Sequence, residues 1–402
     1  MKRRRVKITG IGPVTPAGIG REAFWRGILE PVSRIRAYTK LGPEFGPFSA
    51  AYLDSIHPER HLSKAVLPKA AARHTLFGIV GSALAIHDAQ LAANELNKKN
   101  TVIVVGACVM DFGGIIRTID SVQLKGRKGA IGRTVSTTNL ATVAATIGST
   151  LGLNARSMSV QSSCCTGLDA IGHAARLVAA GEAEIAICGG TDAPLFRCPL
   201  IEFRSVGLTP NCSENAGRLN RPFDMWRTTG VISEGAGIVV IEPERSPRPA
   251  YAFIDGYAYR NDLENELCGG MSGAMEHALA DAQLHRSQID TISAWGPGHW
   301  QVDACEAREL NRVFGPLLKT IPTFSIKGAI GSPLGAASAI QVLTAALSLR
   351  HAILPPTVNW EYPDPSCALN LSNRRRDVAH TVTLVNAHGL SGVNSSMILR
   401  RC

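Results

Sequence analysis

Three observations predict an α/β fold with buried strands. Short β-rich runs alternate with long amphipathic segments from one end of the chain to the other. The strand-like runs are continuous apolar stretches rather than half-polar ones, as strands covered on both faces require. The composition, 45% apolar and 18% charged with 39 Gly and 22 Pro over 402 residues, is that of a globular chain. That length exceeds one small core and suits two or three folding units, or one large unit of fused halves.

The β-rich runs place strands over residues 6–10, 101–106, 158–162, 184–189, 237–242, 251–259, 291–294, 381–386 and 396–400. The first long helix is expected over 71–96, where Leu76, Ile79, Val80, Ala83, Leu84, His87 and Leu91 recur at helical spacing. His87 on that stripe reads as a packed histidine. A second helix follows Cys165, with Leu168, Ile171, Ala175 and Val178 inward and Gly181 placed for a left-handed C-terminal cap. A third begins near Gly270, with Met271, Met275, Ala278, Leu279 and Ala282 inward, and a fourth covers 335–350. The segment 242–250, EPERSPRPA, reads as a linker, since its prolines and charges cannot continue a central strand. It divides the chain into residues 1–245 and 250–402, each opening and closing with strands, which suggests a structural duplication.

Forty-two Lys and Arg against 32 Asp and Glu give a net charge of +10. Nucleic acid is not the expected partner: aromatic residues make up only 5%, and the positive charge, Arg374-Arg375-Arg376 included, is scattered without basic–aromatic interleaving. No run of ~18 apolar residues suggests a membrane span, and the basic start is followed by Gly10, Gly12 and Pro13 instead of the apolar stretch of a signal peptide. A cytoplasmic location is expected. The 10 cysteines contain no CxxC and no CxxxH, so neither a zinc site nor any other metal or cofactor is expected. Eight of them are spread along the chain and read as small buried residues or surface accidents in a reducing compartment. The adjacent pair Cys164-Cys165 is the exception.

In Ser159-Val-Gln-Ser-Ser-Cys-Cys-Thr-Gly-Leu-Asp-Ala-Ile-Gly-His-Ala-Ala-Arg176 a strand-like run turns through Ser162-Ser163 directly into a helix, with a cysteine at the turn. Unpaired N–H groups and the positive end of the helix dipole stabilise a thiolate there, lowering a thiol pKa of ~8.5. A cysteine can also stand at such a junction simply because it is small.

The surrounding motifs decide between those readings, because this segment resembles the active-site elbow of the β-ketoacyl-acyl carrier protein synthases, the condensing enzymes of fatty-acid and polyketide synthesis. The resemblance extends over nearly the whole chain, through Arg5–Gly18, Ala186-Ile-Cys-Gly-Gly-Thr-Asp192, Arg221-Pro-Phe-Asp…Glu234-Gly-Ala-Gly237, Ser325-Ile-Lys-Gly-Ala-Ile-Gly-Ser-Pro333 and Asn386-Ala-His-Gly-Leu-Ser-Gly-Val-Asn394. It implies a thiolase-like fold of two similar halves in α-β-α-β-α layers, the first carrying the nucleophile and the second the Lys327 and glycine-rich loop motifs. It places the nucleophile on Cys164, which would carry an acyl group as a thioester, and an oxyanion hole on the backbone N–H groups of Cys164 and Leu390, in the Gly389-Leu390 loop. His173 reads as packing.

The departures from the family pattern bear on the reaction. Two histidines that polarise a malonyl thioester in such enzymes are replaced, one by Trp295 and the other by Ser332, while Lys327 and the acidic residue expected to pair with it, Glu306, are kept. Thr228-Thr229-Gly230 stands where an active-site Phe is expected, and Leu390 replaces another. His299, on a loop leaving a strand end, and His388, beside the oxyanion loop, are the candidate general bases. The expected activity is acyl transfer from an acyl carrier protein or coenzyme A thioester through Cys164 to an acceptor, without ordinary malonyl decarboxylation. The alternative is a non-catalytic partner subunit resembling chain-length factors, although retention of Cys164 fits that poorly. An acidic acyl carrier protein is the partner the basic charge suits best, and a homodimer or a heterodimer with a ketosynthase is expected.

Overall fold

A computed structural model describes residues 4–62, 67–68, 71–210, 214–263 and 266–402, so Cys212 and the first residues of the basic start lie outside the described residues. One eleven-stranded mixed sheet runs through the molecule. Its strands are β1 Val6–Thr15, β2 Thr101–Gly106, β3 Arg156–Met158, β4 Ile185–Asp192, β5 Gly235–Pro243, β6 Ala252–Asn261, β7 Thr291–Ser293, β8 Thr323–Phe324, β9 Val382–Gly389 and β10 Val393–Arg400, and a short strand, Gly18–Ile19, pairs with β1. The spatial order is β8-β7-β9-β10-β6-β1-β5-β4-β2-β3.

Read outward from the β1–β6 junction, the two arms repeat one plan. The first arm runs β1-β5-β4-β2-β3 and the second β6-β10-β9-β7-β8. In each arm the two inner pairings are antiparallel and the two outer ones parallel. Within the sheet the arms are joined by the pairing of Val6–Ile8 with Ala252–Ile254. Parallel strands need helical crossovers, and these supply the layers. The helices include α1 Arg21–Leu29, α2 Arg73–Asp88, α3 Phe112–Lys125, α4 Thr166–Ala180, α5 Met271–Ala282, α6 Trp300–Phe314 and α7 Ala337–His351. Helix α2 covers the outer face of the first arm and α5 that of the second, while α4 and α7 pack on each other between the arms. The layers are therefore α-β-α-β-α. Helix α7 is buried on every side from Ala337 to Leu349, as an apolar helix without a polar face must be. No helix among the described residues is long and apolar enough to cross a membrane.

Several sequence expectations are corrected. The helix expected over 71–96 is two, α2 and Ala93–Lys98, because Gln90 adopts a left-handed φ of 54° between them. Its buried face is also rotated from the leucine stripe. Helix α2 meets β1 through small residues, where a Cβ on Gly12 would lie 1.9 Å from the Gly81 carbonyl oxygen. That close approach buries Phe77, Gly78, Gly81 and Ala85 and leaves His87 exposed rather than packed. The strand expected over 158–162 is Arg156–Met158; beyond it the chain crosses the end of β2, with the Val160 carbonyl against Gly106. The fourth helix begins as a tight turn at Leu334–Ala336 before α7. Helices α1, α3 and α6 were not read from the sequence, since their stripes are interrupted by charged residues or glycines.

Candidate active site

Cys164 lies between β3 and α4, at a strained bend. Ser163 immediately before it has φ 53°, a left-handed conformation that a non-glycine residue adopts only when its surroundings hold it. Here Thr166 holds it: its hydroxyl donates to the Ser163 carbonyl (2.6 Å) and accepts from the Ser162 N–H (2.9 Å). Asp169, one turn along α4, accepts from Ser162, from Ser395 (2.6 Å) and from the Tyr257 hydroxyl (2.9 Å), which anchors the bend to β6 and β10.

Cys165, at the N-cap position just before α4, makes no side-chain cap. Ser338, from α7, serves instead, its hydroxyl accepting from the Leu168 N–H and donating to the Cys164 carbonyl, both at 3.0 Å. One helix thus caps another at the nucleophile.

The Cys164 thiol is buried, 7% exposed, yet its pKa lies below the ordinary thiol value. The largest cause is a hydrogen bond from Cys108, reinforced by Ser163 and by the Leu390 N–H and opposed by burial. Cys108 is pushed the other way, well up. Of the two thiols, Cys164 is therefore the more readily ionised and Cys108 the one that holds its proton. The Leu390 N–H reaches the sulfur because Gly389 fits against the bend: a Cβ there would stand 2.8 Å from the Ser163 Cβ and 3.3 Å from the Cys164 nitrogen.

Cys164, Trp295, His299, Ser332, His388 and Leu390 line one cavity of about 50 Å3, together with Gly230 of the 228–230 stretch. Wider grooves open beside α2, but none of the candidate site residues lines them. Lys327 and Glu306 lie outside the cavity wall, behind Trp295. They do not form a direct ion pair. The Glu306 carboxylate accepts from the N–H groups of Trp295 and Gly296, both at 2.8 Å, while the Lys327 ammonium donates to the Trp295 carbonyl (3.2 Å) and Gln341 (2.8 Å) and sits 3.9 Å above the indole centre. Burial moves both groups toward neutrality, Lys327 down to about 7 and Glu306 up to about 7. They clamp the Trp295 loop from two sides.

The two candidate histidines differ in their hydrogen bonds. His299 caps α6, its Nδ1 accepting from the Gln301 N–H at 3.3 Å. His388 is 3% exposed, its Nδ1 lies 2.9 Å from Asn394 Oδ1, and its Nε2 has no hydrogen-bond partner among the described residues. Burial lowers the pKa of both. His173 packs edge-on to Tyr257 at 5.8 Å.

Cys108, Ser338, Gln341 and Asp192 belong to this region without having been singled out. Asp192, its pKa raised to about 7 by burial, accepts from the N–H groups of Cys108, Val109 and Gly335 and so positions Cys108. An isolated cysteine gives no sequence signal of its neighbour across the fold. Nor does a serine inside an apolar helix.

Comparison with known proteins agrees with this geometry. Residues 3–246 match the β-ketoacyl synthase N-terminal domain and residues 251–361 the C-terminal domain. A putative polyketide β-ketoacyl synthase 1 from Streptomyces virginiae is 32% identical over 99% of this chain and 98% of its own. A 3-oxoacyl-[acyl-carrier-protein] synthase 2 from Rhizobium meliloti is 30% identical over 99% of each. The solved ishigamide ketosynthase/chain length factor superposes with a TM-score of 0.92 at 26% identity over the whole of both chains, and a type II polyketide ketosynthase in complex with its acyl-carrier protein with 0.90 at 25%. The fold is thiolase-like. With a cysteine poised on a strained bend, a backbone N–H aimed at its sulfur and both family domains matched in order, the chain belongs to the β-ketoacyl synthase family.

Proposed function

We propose that this protein is an acyltransferase that takes an acyl group from a carrier-protein or coenzyme A thioester onto Cys164 and passes it to an acceptor without decarboxylating malonyl thioesters. The lowered pKa of Cys164, with the Leu390 N–H directed at its sulfur, carries this reading. The same N–H and that of Cys164 would receive the oxyanion as the thioester carbonyl is attacked. Trp295 and Ser332 argue against decarboxylation. An indole and a hydroxyl take two places in the cavity wall where the family's imidazoles would stabilise a carbanion, and loss of one such electrostatic partner typically costs ~10²-fold in rate or more.

A carrier protein is the favoured donor. Arg117, Lys125, Arg127, Lys128 and Arg133 are exposed along one stretch from α3 onward, a basic surface for an acidic partner. Intact-mass measurement after incubation with an acyl-carrier thioester is the test. One added acyl group per chain, absent in Cys164→Ala, is expected; no adduct, or the same adduct in the variant, rejects the reading. Efficient condensation of acyl- with malonyl-carrier by the protein alone would reject the non-decarboxylating part.

A second reading, a partner subunit of an active ketosynthase, draws support from the sheet edge: β3 ends the first arm with all of its residues exposed, an open edge suited to pairing with another chain. A stable complex with a histidine-complete ketosynthase, whose turnover is unchanged by Cys164→Ala, would favour it.

A further inference from the structure

The hydrogen bonds around the cavity assign different chemistry to its two histidines. His299 Nδ1 takes the Gln301 N–H, so in the neutral ring the proton is on Nε2, and the nitrogen left free on His299 is a donor. His388 is the reverse. Its Nδ1 meets Asn394 Oδ1 at 2.9 Å, and the orientation of that amide is fixed on its other side: Asn394 Nδ2 donates to Asp262 Oδ1 (2.6 Å) and to the Arg260 carbonyl. Asp262 is itself held by the N–H groups of Cys268 (3.0 Å) and Gly270 (2.9 Å). An amide oxygen can only accept, so His388 must carry its proton on Nδ1 and its lone pair on Nε2. That nitrogen is buried and has no partner among the described residues, in a side chain that lines the cavity with Cys164. A buried ring nitrogen left without a hydrogen bond is costly in a folded protein unless something arrives to use it. The neighbouring Gly389 rests against the nucleophile bend, which fixes this stretch relative to the sulfur.

We propose that His388, aligned by Asn394 and Asp262, is the general base that takes the proton from a hydroxyl or amine acceptor attacking the Cys164 thioester. This rests on the acyl-transfer reading above and names its acceptor class: a protic nucleophile rather than a carbanion. As the acceptor oxygen or nitrogen bonds to the thioester carbon, its proton passes to Nε2. The carbon–sulfur bond then breaks, Cys164 departs as thiolate, and the imidazolium returns the proton to that sulfur, leaving a free thiol and an ester or amide. His388 is the catalytic residue of this step; Asn394 and Asp262 are positioning residues that set the tautomer, the logic of a nucleophile–base–orienter triad.

The test begins with acyl-enzyme loaded to completion, freed of excess thioester, and treated separately with ethanol, glycinamide and malonyl-carrier. Ester or amide formation is followed with the decay of the Cys164 adduct. In the full-length protein, decay with ethanol or glycinamide is expected to slow by about 10²-fold or more in His388→Phe, the scale of general-base catalysis. Asn394→Leu is expected to lower kcat with little change in the KM for acceptor. Free imidazole should restore part of the rate to His388→Gly and none to His299→Gly, a rescue that a merely structural role would not give and that remains readable if the Phe variant is unstable. Discharge by malonyl-carrier alone, decay of His388→Phe as fast as the parent, or imidazole rescue confined to His299→Gly overturns the proposal while leaving acylation of Cys164 intact. Failure to form any Cys164 adduct overturns the acyl-transfer reading and this one with it.

Discussion

The two arms of the sheet share one strand order yet contribute differently to chemistry. In each, a helix follows the outermost strand and returns through the middle layer, α4 in the first arm and α7 in the second. Helix α4 begins at the nucleophile. Helix α7 follows Ser332-Pro333 and the turn Leu334–Ala336, with no cysteine there, and is buried along nearly its whole length. What the second arm supplies is the setting for the first arm's sulfur: the Leu390 N–H, His388 and His299 around the cavity, Ser338 capping α4, and the Lys327–Glu306 clamp behind Trp295. The lesson is that one arm carries the reacting atom and the other carries most of the electrostatics that make it react. Neither is a site alone.

Breaking the contact between the arms at the loop is expected to have the largest effect. Gly389→Ala would force a Cβ to 2.8 Å from the Ser163 Cβ and displace the Leu390 N–H from the sulfur; loss of one such donor implies about 10²-fold slower acylation, measured by time-resolved intact mass. Next is Gly172→Ala, where the new Cβ would meet the Tyr257 ring at 2.4 Å, between α4 of the first arm and β6 of the second. Overpacking of this kind costs about 1–3 kcal/mol, visible in chemical denaturation. Ser338→Ala removes the trans cap and leaves the Leu168 N–H without its partner. Its expected cost is about 0.5–2 kcal/mol, in the same denaturation experiment.

The smallest effect sharpens the comparison from within the first arm. Cys108→Ala removes the leading cause of the lowered Cys164 pKa, so the titration midpoint of Cys164 should move to higher pH. Below that midpoint the thiolate fraction falls as the pKa rises, about tenfold per unit. Alkylation of Cys164 by iodoacetamide at neutral pH should therefore slow by a few-fold to about tenfold, and recover as pH is raised. An unchanged pH profile would remove Cys108 from the site.

Much of the fold was legible because buried strands and amphipathic helices write their period into the chain. The run 101–106 forms a strand over the same residues, and Gly181 closes α4 with a left-handed φ of 82°. The 71–96 helix was misread in extent and facing because a leucine stripe marks an apolar face only when side-chain bulk decides the packing. Here glycine-to-backbone contact between α2 and β1 decided it. At the site, Cys164, Trp295, His299, Ser332, His388 and Leu390 could be named in advance because each belongs to a local motif, and one cavity gathers all of them. The expected Lys327–Glu306 ion pair was a motif-level inference that the geometry replaces with two separate clamps on Trp295.

By itself, then, the sequence determined the α/β class, the cysteine at a helix start and the presence of Trp295 and Ser332 in their local motifs, since each is a property of residue identity and short-range order. Only the tertiary structure decided which sulfur lies beside Cys164, which serine caps its helix, and which cavity-lining histidine has its Nδ1 against an amide oxygen. Those depend on contacts such as Ser338 with Leu168, 170 positions apart, and Asn394 with Asp262, 132 apart. Hydrogen bonding acts over ångströms, and no periodicity along a chain records which distant groups the fold brings within that range.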